Sequence, residues 1–201
     1  MMNDYEIKVA EFYNKLADRY NQNFKAGDHG TEELQAKKYS LLTELGDIDY
    51  STILEVGSGV GLFYKHLEEQ LYSFRYTGID VSERAIRVAS EHLPTIDFRK
   101  ETILSDKFNE EFDFVLADGL FNLNYGIDMI QYRNKVLIKM LKIAQKAVAV
   151  NFNSIMTKNK DDKNTVYFDP GETLNYCLSL NPKAVLRHEY LQDQFTVYLY
   201  K

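Results

Sequence analysis

The sequence predicts an α/β fold: a doubly wound, mostly parallel seven-stranded sheet with a C-terminal antiparallel hairpin and an N-terminal helical extension. Three observations lead there. From residue 51 onward, short apolar runs of strand length alternate with segments of helical period. The last two strand-like runs are separated only by "QDQ", too short for a helical crossover, so they must pair antiparallel. The first fifty residues read as two helices joined by a polar break.

Taken in order, residues 5–22 place Val9, Phe12, Tyr13, Leu16 and Tyr20 at helical spacing. A polar break, "KAGDHG" (25–30), follows, and Thr31 then caps a second helix that runs to Leu45. "STILEVG" (51–57) is a buried strand, and "GLFYKHLEEQL" (61–71) carries Leu62, His66/Leu67 and Leu71 on one helical stripe. "FRYTGIDV" (74–81) is the second strand. Ser82 caps the helix 83–93, with Ile86, Ala89 and Leu93 facing inward, and Pro94 stops it. Strands at 96–101, 112–119 and 147–153 follow, with a long helix at 127–145 between the last two. A helix at 169–180 precedes the hairpin strands 184–191 and 195–201. Residues 1–50 are expected to form a helical cap or lid, and residues 51–201 the sheet domain.

Composition narrows the function. Hydrophobic residues make up 45% and charged residues 27%, the balance of a folded globular chain rather than a disordered one. No run approaches the roughly 18 apolar residues that a membrane helix needs. The segment "MMNDYEIKVAEFYNKL" has neither the basic start nor the apolar centre of a secretory leader, so a cytoplasmic protein with no membrane partner is expected. The net charge of −6 disfavours a nucleic-acid partner, which calls for a basic face. The single Cys177 excludes an internal disulfide and has no Cys or His at ligand spacing, so no metal site is expected.

The most informative stretch is "ILEVGSGVGLF" (53–63). In an open α/β sheet, ligands sit beyond the carboxyl ends of the strands, and the first strand-to-helix turn borders that crevice. Gly57 and Gly59 allow main chain to approach a ligand, and Gly61 allows tight entry into the helix. The spacing is G-x-G-x-G. The third glycine of the dinucleotide fingerprint is expected at position 62, where Leu62 stands instead. Glu55, two positions ahead, would repel a pyrophosphate but attract a sulfonium, which favours S-adenosyl-L-methionine over a nicotinamide dinucleotide.

"LEVGSGVG", followed 23 residues beyond Gly57 by Asp80 at the end of "YTGID", resembles motif I and its successor in class I S-adenosylmethionine-dependent methyltransferases. The resemblance covers roughly residues 50–201, with the terminal hairpin that sets these Rossmann-like enzymes apart, and "FYNKLADRY" is similar to the helical lid of their small-molecule members. It implies that Glu55, Gly57, Ser58, Gly59 and Gly61 line the methionine end of the cofactor, with Asp118, Gly119 and Leu120 beneath it. It also implies Asp80 on the ribose hydroxyls and Val81 on the adenine face. Asp80 has a second reading, as a charge favouring the N-terminus of the following helix. The adenine amino group would be met by Glu101, or by main chain at Thr102 and Ile103. Tyr13 and Tyr20 of the lid are expected near the cofactor, with ordinary helix packing as the alternative.

On the acceptor side the resemblance points to Phe121, Asn122, Asn124 and Tyr125 after the fourth strand, and to Asn151 and Asn153 at the end of the fifth. The asparagines have turn-forming as their competing role. His29, in a Gly-flanked hinge, is the candidate general base, while His66, His92 and His188 are expected to be structural. The Asn/Asp-Pro-Pro-aromatic signature of nucleic-acid amino methylation is absent from "LADGLFNLNYG". The predicted function is methyl transfer to a small-molecule hydroxyl, carboxylate or amine, releasing S-adenosyl-L-homocysteine. The alternatives are a cofactor-binding sensor or partner subunit without transfer activity, and an RNA or protein methyltransferase.

Overall fold

The structure is a computed structural model describing residues 2–27, 31–158 and 164–201. Helices α1 (Asp4–Tyr20) and α2 (Glu32–Thr43), with a 3-10 turn at Phe24–Gly27 between them, precede the sheet. Then follow β1 (Ser51–Val56), α3 (Leu62–Glu69), β2 (Phe74–Asp80), α4 (Glu83–His92), β3 (Asp97–Lys100) and β4 (Phe112–Ala117). The chain closes with α5 (Met129–Ile143), β5 (Ala144–Asn153), α6 (Pro170–Leu180), β6 (Ala184–Arg187) and β7 (Gln194–Tyr200). Among the described residues, no helix is long and apolar enough to cross a membrane.

The sheet runs β3-β2-β1-β4-β5-β7-β6, with β1 to β5 parallel and β7 antiparallel to both its neighbours. Strand order therefore reverses between β1 and β4, and the crevice beyond their carboxyl ends is where such a sheet places ligands. Side chains alternate across the sheet with the period of two that strands impose. Val115, Val148, Val150, Val197 and Leu199 pack on one face, with α5 residues Val136, Leu137 and Met140. Phe114, Leu116, Ala149 and Tyr198 pack on the other, with Leu42 of α2 and Phe63 and Leu67 of α3.

The helix starts follow their caps. The Thr31 side chain accepts from Leu34 N–H and the Ser82 side chain from Ala85 N–H, each filling one of the donors that a helix leaves unpaired. Asn3 and Glu6 close a reciprocal capping box at the start of α1.

Several expectations change. Leu71, expected on the stripe of α3, lies past the end of that helix and is 90% exposed, and Ala144, expected within a helix, begins β5. The strand expected over 184–191 ends at Arg187, because Arg187 turns outward to Glu44 and Glu189 and the chain bends toward β7. The inner face of α1 is also rotated from the expected stripe. Its buried residues are Tyr5, Glu6, Ala10 and Ala17, while Val9, Phe12, Tyr13, Leu16 and Tyr20 are half-buried. The helix docks close to α4 through small side chains: Ala17 packs in a cluster with Ala85, Val88 and Val60. Asn14 Oδ1 accepts from Ser82 Oγ at 2.8 Å and from Arg84 N–H at 3.0 Å, which fixes that approach.

Candidate active site

A cleft of about 940 Å³, counting the space open to solvent, lies at the switch point between β1 and β4. Its floor is the turn after β1, from Gly57 to Val60. Gly57 (φ +80°), Gly59 (φ +52°) and Gly61 (φ +82°) all adopt the left-handed backbone that glycine accepts without strain. A Cβ on Gly59 would meet nothing within 4 Å, so the turn holds open space where a side chain would stand. A Cβ on Gly61 would come 2.9 Å from the Phe98 ring and 3.0 Å from Leu93, so this glycine serves packing. Gly61 accordingly forms the start of α3 and does not line the cleft. The Gly61→Ala variant should lose roughly 2–4 kcal/mol of stability, read by denaturant unfolding. Unchanged stability would show that the turn is not set by this contact.

Asp80, at the end of β2, organises the turn. Its Oδ2 accepts from Gly59 N–H at 2.9 Å and its Oδ1 from Ser82 N–H at 2.7 Å. Burial raises its pKa and these backbone donors oppose that rise. Capping of α4 falls to Ser82, which leaves the Asp80 carboxylate facing the cleft. The Ser58 hydroxyl is buried without a hydrogen-bond partner, the state of a polar group awaiting a ligand. A nucleoside with a short zwitterionic tail fits such a cradle, because Ser58 Oγ and the Asp80 oxygens offer what ribose and amino acid groups need.

Glu55 sits on the next part of the wall and accepts a hydrogen bond from Tyr76 OH. Burial pushes its carboxyl up to about 8, helped by the nearby carboxylates of Asp118 and Asp80 and opposed by the Tyr76 hydrogen bond. The unfolded chain gives up this proton near the ordinary value of 4.5, whereas the folded protein holds it to about 8. Stability contributed by Glu55 is therefore present below about pH 4.5 and falls as pH rises through 8. The Glu55→Gln variant should gain melting temperature relative to the parent at pH 8–9 and match it near pH 5. A constant difference across that range would contradict the assignment.

Asp118, after β4, is equally buried and stands 3.4 Å from Lys38 Nζ of α2. Asn151 Nδ2 donates to its Oδ1 at 2.8 Å, and Thr196 Oγ1 donates to Asn151 Oδ1. Asn151 thus points toward the site but acts through Asp118, outside the lining of the cleft. Asn153 lies on the other side of the strand. Its Nδ2 donates to Val166 O at 3.2 Å and its Oδ1 accepts from Gln194 Nε2 at 3.4 Å, so its role is to hold a loop.

The cleft brings together Glu55, Gly57, Ser58, Gly59, Asp80, Val81, Glu101, Thr102, Ile103, Asp118, Gly119, Leu120 and Tyr13. It leaves out Tyr20, which packs beside Arg19 and near Val60, and the four residues Phe121, Asn122, Asn124 and Tyr125. Phe121 does not face an acceptor space. It is stacked 5.3 Å from Phe152 inside the core, because a large ring at the end of β4 gains more by burial there. The Asn122 side chain lies beneath Gly119, and Asn124 Oδ1 accepts from Gly126 and Ile127 N–H, a turn-forming role. Tyr125 packs against the core, and its carbonyl accepts from Lys8 Nζ at 3.4 Å.

His29 lies outside the described residues. His66 stacks on Phe63 beside Tyr39, while the rings of His92 and His188 each face a backbone carbonyl. The sequence reading missed Tyr5, Glu6 and Val9 of α1, Ala26, Tyr39 and Tyr132, which complete the wall. The small residues Ala10 and Ala17, seven apart, mark the docked face of α1 in the sequence, but the acid Glu6 on that face breaks the apolar period.

Comparison with known proteins agrees with this geometry. Residues 53–142 match the family described as methyltransferase domain. A Mycobacterium tuberculosis protein named as a methyltransferase is 28% identical over 164 residues, covering 76% of this chain and 95% of its own. Among solved structures, DhpI in complex with SAM and HEP superposes with a TM-score of 0.71 at 15% identity, covering 98% of this chain and 99% of its own. Magnesium protoporphyrin IX methyltransferase from Synechocystis with bound SAM superposes with a TM-score of 0.68 at 12% identity, covering 98% of each chain. With that sheet order and that glycine turn, residues 53–142 match a methyltransferase domain, and the chain has the fold of solved S-adenosylmethionine-dependent methyltransferases.

Proposed function

We propose that the protein transfers the methyl group of S-adenosylmethionine to a small-molecule acceptor. The observation that carries this reading is the covered cleft. Tyr5, Glu6, Val9 and Tyr13 of α1 and Ala26 of the 3-10 turn wall the same cavity as Asp80 and Asp118. A polymer would need an open face, whereas a helical lid over the switch point suits a molecule that can be enclosed. The magnesium protoporphyrin IX enzyme, of similar fold and coverage, is named for a small-molecule substrate.

The cofactor supplies a methyl group already activated on a sulfonium, so the chain has to place the reactants and exclude water. Asp80, its position held by Gly59 and Ser82 N–H, would accept hydrogen bonds from the ribose hydroxyls. Val81 and Ile103 would pack on the adenine, and either Glu101 or the main chain at Thr102 and Ile103 would meet its polar edge. Ser58 Oγ and the backbone of Gly57 to Gly59 would serve the methionine end, walled by Asp118 and Glu55. The Glu55 carboxyl holds its proton to about pH 8, so the attraction for a sulfonium expected of a Glu55 carboxylate is absent at neutral pH. Asp118 is oriented by Asn151 and held by Lys38, so α2 is tied to the site through a buried ion pair.

The test is transfer of a tritiated methyl group into fractionated small-molecule and macromolecular extracts. Label should enter a low-mass fraction. Label found only in protein or RNA would overturn the small-molecule reading, and label in neither would overturn transfer itself.

A further inference from the structure

We propose that Lys38 is a positioning residue for the amino acid tail of the cofactor: standing behind Asp118, it keeps that carboxylate ionised and turned into the cleft to receive the α-ammonium group of S-adenosylmethionine. This rests on the methyltransferase reading above and assigns the subsite that reads the tail.

Lys38 lies on α2, ahead of the residues 53–142 that match the methyltransferase domain, and it does not line the cleft. Its side chain is nonetheless only 4% exposed, with Nζ 3.4 Å from Asp118 Oδ2, and Asp118 does line the cleft. The other carboxylate oxygen is fixed from the sheet. Asn151 Nδ2 donates to Asp118 Oδ1 at 2.8 Å, Thr196 Oγ1 donates to Asn151 Oδ1, and Tyr190 OH lies 2.8 Å from Thr196 Oγ1. Lys37, the neighbour of Lys38, donates through Nζ to the Tyr190 carbonyl at 2.7 Å. The polar chain thus leaves α2 at Lys38, crosses β5 and β7, and returns to α2 at Lys37.

Stability does not call for this circuit. Lys38, Asp118, Asn151 and Thr196 are all buried, and Asn151 and Thr196 are paired in register on the sheet face that otherwise carries Ala147, Ala149 and Tyr198. A buried ion pair replaced by apolar side chains of similar size is often as stable or more so. Each buried polar group is also costly unless its partners are all in place. What the circuit secures is the direction and the charge of one carboxylate at the cleft wall.

The position of that carboxylate selects the group it meets. Asp80 follows β2 and Asp118 follows β4, on either side of the turn after β1. With the ribose on Asp80, the tail of the cofactor would cross that turn toward Asp118, and its permanent cation is the α-ammonium. Glu55 holds its proton to about pH 8 and does not compete as an anion at neutral pH. Among the described residues no Lys, Arg or His lines the cleft, so Lys38 acts through Asp118 rather than on the ligand. A carboxylate has about four acceptor positions, enough for Lys38, Asn151 and an incoming ammonium.

The test titrates the full chain calorimetrically with S-adenosylhomocysteine, with its analogue lacking the α-amino group, and with methylthioadenosine, which lacks the whole tail. The parent should bind S-adenosylhomocysteine at least about tenfold more tightly than the amine-free analogue. Lys38→Met should cut that preference to within about twofold while leaving methylthioadenosine affinity unchanged, and Asp118→Asn should do the same. In the Asp118→Asn background, Lys38→Met should change the preference no further. Lys38→Gln, close in length and neutral, takes the place of Lys38→Met if that variant does not fold, with the same expectation. Absence of the preference in the parent overturns the proposal whether or not the variants fold. So does a folded Lys38 variant that keeps the preference, or one that weakens all three ligands alike, which would make Lys38 a support of α2 only. Failure of the parent to bind either S-adenosylhomocysteine or methylthioadenosine would sink the methyltransferase reading instead.

Discussion

Replacing Asp80 by alanine should weaken S-adenosylhomocysteine binding by roughly 100-fold, about 3 kcal/mol, while the protein stays folded. Two losses combine. The ribose loses two hydrogen bonds to a charged acceptor, each worth about 1.5–3 kcal/mol. The turn loses the carboxylate that accepts from Gly59 and Ser82 N–H, so the cradle must be ordered again at each binding event. Helix α4 keeps its start, because Ser82 caps it independently through Ala85 N–H. Calorimetric titration reads the affinity and circular dichroism the helix content. Unchanged affinity with lost helix would return Asp80 to the role of a helix charge.

The Phe121→Ala variant has the opposite profile: a large loss of stability, about 3–5 kcal/mol, with cofactor affinity nearly intact at low temperature. Phe121 sits in an aromatic cluster with Phe152 at 5.3 Å, Tyr132 at 6.1 Å and Phe168 at 6.2 Å, and is 1% exposed. Deleting the ring leaves a cavity that the neighbouring strands cannot collapse to fill. Denaturant unfolding measures the first effect and titration the second. A stable variant with lost acceptor binding would restore Phe121 to the acceptor face.

These two residues mark what the sequence makes legible. The place of Asp80 at the cleft was readable because it is local: an acid closing the strand that follows the glycine turn and its helix lands at the same edge of the sheet. The strands were readable for the same reason, since Val115 with Leu116 and Val148 with Ala149 alternate faces whatever packs on them. Phe121 was not readable, because the residue after a strand end can turn into the core or out to a ligand, and only the tertiary packing decides. Helix α1 shows the same limit. Its large side chains Val9, Phe12 and Leu16 outrank alanine in hydrophobicity, yet close docking on α4 selects Ala17 and brings Glu6 inward. A buried acid contradicts the period used to find a buried face, so Glu6 was invisible to it. Lys38 was missed likewise, since its burial depends on Asp118, eighty residues further along.

The most direct measurement is a crystal structure of the protein with S-adenosylhomocysteine. The ribose hydroxyls should lie at hydrogen-bond distance from the Asp80 carboxylate, the sulfur over the turn at Gly57 to Gly59, and the adenine between Val81 and Ile103. Density for the nucleoside anywhere else, or an Asp80 side chain rotated away from the sugar, would contradict the account.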